Sequence, residues 1–303
     1  MTSDYQSYYG RAVLKSPVWE WMIPAYLFTG GLSAASAMLG AGADLTGKPT
    51  LRRVSRLGAL GSLVASTGLL IGDLGRPARF HHMLRVAKPS SPMSVGTWIL
   101  LGFGPPAGVA AVAELMPRRS WPGRIVRPFA RPAGLAAAGV APGLASYTAV
   151  LLSQTAVPAW HEAHPYLPFV FTGSAAASGA GLGMALAPVR EAGPARRLAV
   201  AGVALETAAS RLMDKRLGLV RETYRNPKRR LAEALSVGGA AGTLLARRSR
   251  TAAVLSGLAL LAGSALQRFG TFEAGVQSTR DPKYVVVPQR ERLQAKAQPE
   301  MAR

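Results

Sequence analysis

The run MIPAYLFTGGLSAASAMLGAG at residues 22–42 contains no charged side chain. A helix needs roughly 20 mainly apolar residues to cross the hydrocarbon core of a bilayer, so this stretch reads as a transmembrane helix. Seven further apolar runs follow, at about 57–75, 94–116, 133–157, 167–188, 198–213, 231–246 and 251–269. In lipid, backbone N–H and C=O groups must find partners within their own segment, which selects helices for such runs. The expected fold is therefore an all-α integral membrane protein, a bundle of about eight transmembrane helices over residues 22–269. An extramembrane segment at 1–21 precedes the bundle, and an extramembrane tail at 270–303 follows it. The sixth run contains Glu206 and the seventh is short, so a six- or seven-span bundle is the alternative. Residues 1–17 show neither an apolar core nor a cleavage site, and the first helix is expected to act as an uncleaved insertion signal.

Composition agrees with this reading. Of the 303 residues 49% are hydrophobic, and the net charge of +21 comes from Lys and Arg placed in the gaps between the runs. That is the habit of membrane loops, whose cations meet lipid phosphates. No nucleic-acid motif accompanies the charge. With eight spans both termini share a side. The four short loops of the other side are all basic, which by the positive-inside rule leaves the termini and their loops extracytoplasmic. Two small-residue pairs, Gly179 with Gly183 and Gly238 with Gly242, are expected to let helices of this bundle approach closely.

The chain has no Cys and four His, and His81, His82, His161 and His164 all lie outside the apolar runs. Iron–sulfur clusters are held mainly by Cys, and an intramembrane haem needs axial ligands on the helices. Neither is expected in this chain, and neither is a metal site. The HxxH spacing of His161 and His164 around Glu162 lacks a third ligand.

Three stretches between the runs carry chemistry. PVWEWMIPAYLFTGG at 17–31 places Glu20 and Trp21 before the first helix and Tyr26 within its first turns. DLGRPARFHHMLRVAKPSSPMSVGTW at 73–98 supplies Asp73, Arg76, His81 and His82 between the second and third spans. AVPAWHEAHPYLPFVFTGSA at 156–175 supplies Trp160, His161, Glu162 and His164 between the fourth and fifth. In the eight-span topology all three belong to one membrane face. Carboxylates, imidazoles and phenols beside Trp rings suit a quinone head group, which needs hydrogen-bond donors at two carbonyls and two protons on reduction. The plainer reading is a basic, aromatic interfacial surface with Asp73 paired to Arg76. Inside the spans, Glu206 is an intramembrane acid and so a candidate proton carrier, or else half of a structural pair with Arg211 or another helix. Glu114 ends the third span, and Tyr147 in the fourth is either a core aromatic or a donor to ligand.

These three stretches and Tyr147 resemble the NrfD/PsrC family. Its members are membrane subunits of polysulfide reductases, nitrite-reductase electron donors and molybdopterin oxidoreductases such as formate dehydrogenases, and SPMSVGTW is similar to the shorter, formate-dehydrogenase-associated branch. The resemblance implies a haem-free bundle that exchanges electrons between menaquinone or ubiquinone and a ferredoxin-like iron–sulfur subunit. That subunit would in turn serve a molybdopterin catalytic subunit. It also implies a quinone pocket near the docking face, with Tyr26 and Tyr147 as ligands and Glu206 on a proton path. Tyr26 stands where some members carry His.

The resulting expectation is a quinone-reactive membrane anchor in the inner (plasma) membrane, part of a larger enzyme and without primary-substrate chemistry of its own. Its cofactor-binding residues would be Glu20, Trp21, Tyr26, Asp73, Arg76, His81, His82, Tyr147, Trp160, His161, Glu162 and His164, with Asp73, His161 and Glu206 handling protons. A multi-pass transporter, or an anchor without a quinone site, is the alternative.

Overall fold

The computed structural model describes residues 12–117 and 119–301, with side chains left undescribed at 292 and 295–301. Residues 1–11 of the expected N-terminal segment and 302–303 of the tail lie outside the described residues. The described chain is helical and contains no strand. Helices stand at all eight expected positions: α1 (Met22–Leu45), α2 (Pro49–Gly72), α3 (Pro92–Leu115), α4 (Trp121–Ser153), α6 (Leu167–Leu186), α7 (Gly193–Arg216), α9 (Pro227–Gly242) and α10 (Arg250–Arg280). Between them lie the short α5 (Pro158–Glu162) and α8 (Arg221–Tyr224), and α11 (Lys283–Met301) follows α10. Six helices, α1, α2, α3, α4, α6 and α10, are long and apolar enough to cross a membrane. The remaining two, α7 and α9, run antiparallel against α6 and α10 respectively and are more polar.

Several helices start earlier than their apolar runs. Pro49 occupies the first turn of α2, where a missing N–H leaves nothing unpaired. The helix therefore begins eight residues before the run and carries Arg52, Arg53 and Arg56 inside it. Ser120 caps α4, its hydroxyl accepting from the Gly123 N–H. Pro128, Pro132 and Pro142 all lie within α4. Membrane helices accommodate such prolines when neighbouring groups take up the freed carbonyls. Pro24 sits in the first turn of α1, where no intrahelical bond is lost.

At the centre stand α1 and α6, whose apolar windows are 67% and 72% buried, against 28% for α2 and for α3. Small residues set this packing. Gly179 faces Ala35 and Ser36 of α1, and Gly183 faces Leu39 of α1 and Ala195 of α7. A Cβ on Gly173 of α6 would stand 2.6 Å from the Gly202 carbonyl oxygen of α7, so only glycine permits this crossing. On α9, Gly242 meets Ser256 of α10, whereas Gly238 has nothing within 4 Å. Only Gly242 of the two thus packs closely against a neighbouring helix.

The connections differ sharply at the two ends. One end joins helices by turns of a few residues, at 46–48, 116–120, 187–192 and 243–249. The other carries both described termini and the long connections, including a 3-10 segment over Pro77–Leu84, α5 and α8. The three chemistry-bearing stretches all belong to this second end.

Candidate functional site

The segment leading into α1 ties the site together. Trp19 stacks on Trp160 of α5, ring centroids 5.9 Å apart and planes 23° from parallel. Its neighbour Glu20 lies against Asp73 at the end of α2, where the Glu20 backbone reaches the Asp73 carboxyl. One short segment therefore bridges the other two stretches, and Glu20, Asp73 and α5 share one end of the bundle. Burial pushes the Asp73 carboxyl above the ordinary aspartate value, and the Glu20 charge adds to this against the opposing backbone hydrogen bond. Asp73 therefore binds a proton more tightly than an ordinary aspartate does.

Deeper on the same side, Tyr26 of α1 and Tyr147 of α4 meet through a hydroxyl–hydroxyl hydrogen bond. Both are buried, at 3% and 7% exposure. The Tyr147 ring occupies the space that a side chain on Gly96, in the first turn of α3, would fill. Two phenols from distant parts of the chain thus share one proton-bearing contact in an apolar setting. Each phenol can donate one hydrogen bond, and one of the two donors is already spent on the other hydroxyl.

At the same end of the bundle is an apolar groove of about 210 Å³, walled by Leu70 and Ile71 of α2 and Leu100 and Leu101 of α3. Phe80, Met83 and Leu84 of the 3-10 segment roof it. The sequence between the second and third spans therefore builds a lid with an apolar underside. Arg76, His81 and His82 occupy its exposed surface. The two imidazoles pack edge to face at 4.5 Å, outside the buried cluster.

The α5 residues divide by role. Trp160 is fully buried, donates from Nε1 to the Thr271 carbonyl at 2.8 Å, and lies where a side chain on Gly275 would have to go. Tyr224 of α8 donates to the Ala159 carbonyl at 3.0 Å, and Ser278 of α10 accepts from the Ala159 N–H at 3.2 Å. This short helix is pinned to the end of α10, and Trp160 is its anchor. His161 points outward, Nδ1 set 3.1 Å from the Ser153 carbonyl, and with Glu162 it lines an open groove of about 460 Å³ completed by Tyr284 and Pro288 of α11. His164 is exposed, Nδ1 3.0 Å from the His161 carbonyl. Trp21, at the start of α1, is 60% exposed.

Glu206 is 5% exposed within α7, and among the described residues no donor reaches its Oε2. Arg211 is exposed, so the expected pairing within the helix does not form. The opposing charge comes instead from Arg268 of α10, a residue that sequence reasoning missed. Arg268 is 1% exposed, donates to the Phe171 carbonyl at 2.7 Å and stacks 3.7 Å from the Phe171 ring centroid. Its Nε and Nη1 have no partner among the described residues. The available signal was its position at the very end of an apolar run, where an Arg reads as a boundary cation.

At the other end Glu114 does not stand alone. It accepts from Arg52 at 2.7 Å and Arg56 at 2.9 Å, while Asp44 accepts from the same two arginines at 3.2 and 3.1 Å. This four-residue clamp joins α1, α2 and α3.

No curated protein matches the chain. A family model described as polysulphide reductase, NrfD, matches residues 12–258, which takes in every helix from α1 to α9. Members of that family are membrane subunits of molybdoenzyme complexes, and in general they partner iron–sulfur and molybdopterin catalytic subunits. With its apolar helices crossing repeatedly and its match spanning most of the sequence, the chain is a multi-pass membrane protein of the polysulphide reductase NrfD family.

Proposed function

We propose that this chain is the quinone-reactive subunit of such a complex, passing electrons between a ferredoxin-like iron–sulfur subunit and menaquinone or ubiquinone. The observation that carries this is the buried Tyr26–Tyr147 hydroxyl pair, set on the same side of the bundle as Asp73 and Glu20. The residues fit the group. An isoprenoid chain suits the apolar groove between α2 and α3, and a head group needs donors of the kind the two phenols offer.

A bound quinone supplies two-electron, two-proton redox chemistry. One phenol of the Tyr26–Tyr147 pair is held by the other, and the remaining O–H orients a carbonyl by donating to it. Asp73, whose carboxyl binds a proton more tightly than an ordinary aspartate, relays protons at that face, and Glu20 connects it to solvent. His161 sits at the rim and exchanges protons with the medium. Glu206 of α7, with Arg268 of α10 supplying the opposing charge, carries protons farther inside. The lid over Pro77–Leu84 keeps water from the groove. The iron–sulfur partner docks on this face, and the positive net charge suits an acidic partner surface. The termini lie on the extracytoplasmic side of the inner membrane, and the primary substrate is handled by the partner.

The test is quinone reduction by the intact complex. Changing Tyr26 and Tyr147 together to Phe, or Asp73→Ala or His161→Ala, should lower quinone turnover at least tenfold for the phenols and severalfold for the others. Soluble-dye reduction by the catalytic subunit should persist. Equal quinone rates in all variants would reduce the chain to an anchor.

A further inference from the structure

Away from the proposed quinone site, at the end with the short turns, α7 and α9 diverge. α7 packs on α6 and α9 packs on α10, leaving a groove of about 770 Å³ between them. Its wall is apolar along the helices, formed by Val200 and Ala204 of α7 and by Leu244 just beyond α9. Its mouth is not. Arg196 and Arg197, in the first turn of α7, face Arg247 across it. Both guanidinium groups of the first pair lie 3.9 Å from where a Cβ on Gly193 would stand, so they fold together over the helix start. Arg196 lies within the field of both other arginines.

Among the described residues no acid pairs with these three arginines. Glu191, the acid of the adjoining turn, is committed to the N-terminus of α2, accepting from the Thr50 N–H at 2.7 Å and the Leu51 N–H at 3.1 Å. Arg196 spends one nitrogen on the Val189 carbonyl at 3.0 Å, but a carbonyl is neutral. The contrast with the Arg52–Arg56 clamp is direct, since two carboxylates sit inside that cluster. Geometry then places the mouth within reach of lipid. α9 has 16 residues, roughly 24 Å of helix, against a hydrocarbon core of about 30 Å. A helix that short leaves the Arg247 turn just beyond its end near the boundary of the hydrocarbon core, within reach of lipid phosphates and the first acyl carbons.

From this combination we infer a binding site for one anionic phospholipid, its phosphate held by Arg197 and Arg247 and an acyl chain laid along Val200, Ala204 and Leu244. Arg196 positions the mouth by tying the turns before α7 and after α9 together. The helix N-terminus adds its partial positive charge to a site that the arginines already define.

Native mass spectrometry of the full-length chain in mild detergent tests the assignment, with phosphatidylglycerol and phosphatidylcholine as probes. The unmodified protein should retain one phosphatidylglycerol at least tenfold better than phosphatidylcholine. The double variant Arg197→Gln/Arg247→Gln should lose that preference. Ala204→Trp, which fills the groove and leaves every charge in place, should lower retention at least fivefold. Both variants alter exposed side chains, and an unchanged unfolding temperature without added lipid verifies that they fold. Equal retention of the two lipids by the unmodified chain overturns the site without any variant. Undiminished phosphatidylglycerol in the arginine variant does the same. Full retention by Ala204→Trp, with displacement by inorganic phosphate alone, makes the ligand a bare anion and removes the lipid.

Discussion

Two acids at opposite ends of the bundle are held in opposite ways. Glu191, in the turn between α6 and α7, is buried, which works against its charge. Three hydrogen bonds, from the Leu51 N–H and from the Thr50 hydroxyl and N–H, outweigh that and hold it below the ordinary glutamate value. It is a fixed anion that caps α2. Asp73, at the far end of the same α2, is pushed upward by burial and by Glu20. It has no comparable set of donors and keeps its proton more readily. The comparison extends to the surroundings. The end around Glu191 is closed by short turns and by the Arg52–Arg56–Asp44–Glu114 clamp, in which each charge meets its opposite. The end around Asp73 is built of aromatic stacking, buried phenols and solvent-facing imidazoles. One end fixes charge in place, and the other raises a carboxyl beside a second acid and leaves its imidazoles at the surface.

The largest expected effect falls at the Asp73 end and is purely structural. Trp160→Ala removes a fully buried indole, its bond to Thr271 and its stack on Trp19. A loss of about 4 kcal/mol should appear in thermal unfolding in detergent, and α5 should become accessible to protease. A smaller loss there would make the aromatic junction an ornament on a bundle held by other contacts. At the closed end, Glu114→Ala leaves Arg52 and Arg56 with one carboxylate between them. A destabilisation of about 3 kcal/mol is expected. Glu114→Gln should cost less, because the amide still accepts from one arginine.

Smaller effects sharpen the contrast between the two acids. Glu191→Ala should lose about 1–2 kcal/mol at neutral pH through the lost cap. Because the folded value lies below the ordinary 4.5, that support is complete above the ordinary value and disappears as pH falls through the lowered one. The variant and the parent should converge in acid. Asp73→Asn should act with the opposite sign. A carboxyl raised above the ordinary 3.8 binds its proton more tightly when folded, so stability falls as pH rises between the ordinary and the raised value. The asparagine variant should match the parent in strong acid and melt about one degree higher at neutral pH. Parallel pH profiles for the two variants would erase the distinction between the ends.

The sequence made the helical bundle legible because eight apolar runs separated by basic gaps permit little else. It also made legible which end would carry the polar stretches, since alternation of spans assigns each connection to a side. Helix starts were less readable. The α2 start lay hidden behind Arg52 and Arg56, whose charge looks like loop until Asp44 and Glu114, distant in sequence, are seen to neutralise it. That Pro128 and Pro132 lie inside α4 is likewise not legible, because local propensity carries no information about neighbouring helices. Within the candidate site, Tyr26 and Tyr147 were identified, but their direct contact depends on the crossing of α1 with α4 and on the room left by Gly96. Trp160 looked like an interfacial residue and is instead a buried anchor, because Gly275 opens a place for it on α10. Arg268 stayed invisible because the partner it answers, Glu206, sits on another helix.

Photoaffinity labelling of the intact complex with an azido-quinone, followed by peptide mapping, tests the account most directly. Label should fall on the first half of α1, on the second half of α4 or on the lid and start of α3, residues 77–98. Excess unmodified quinone should suppress it, and the Tyr26→Phe/Tyr147→Phe variant should lose it. Label that resists competition, or that maps to the turns around Glu191 and Arg247 at the other end, would contradict the placement of the quinone beside the two tyrosines.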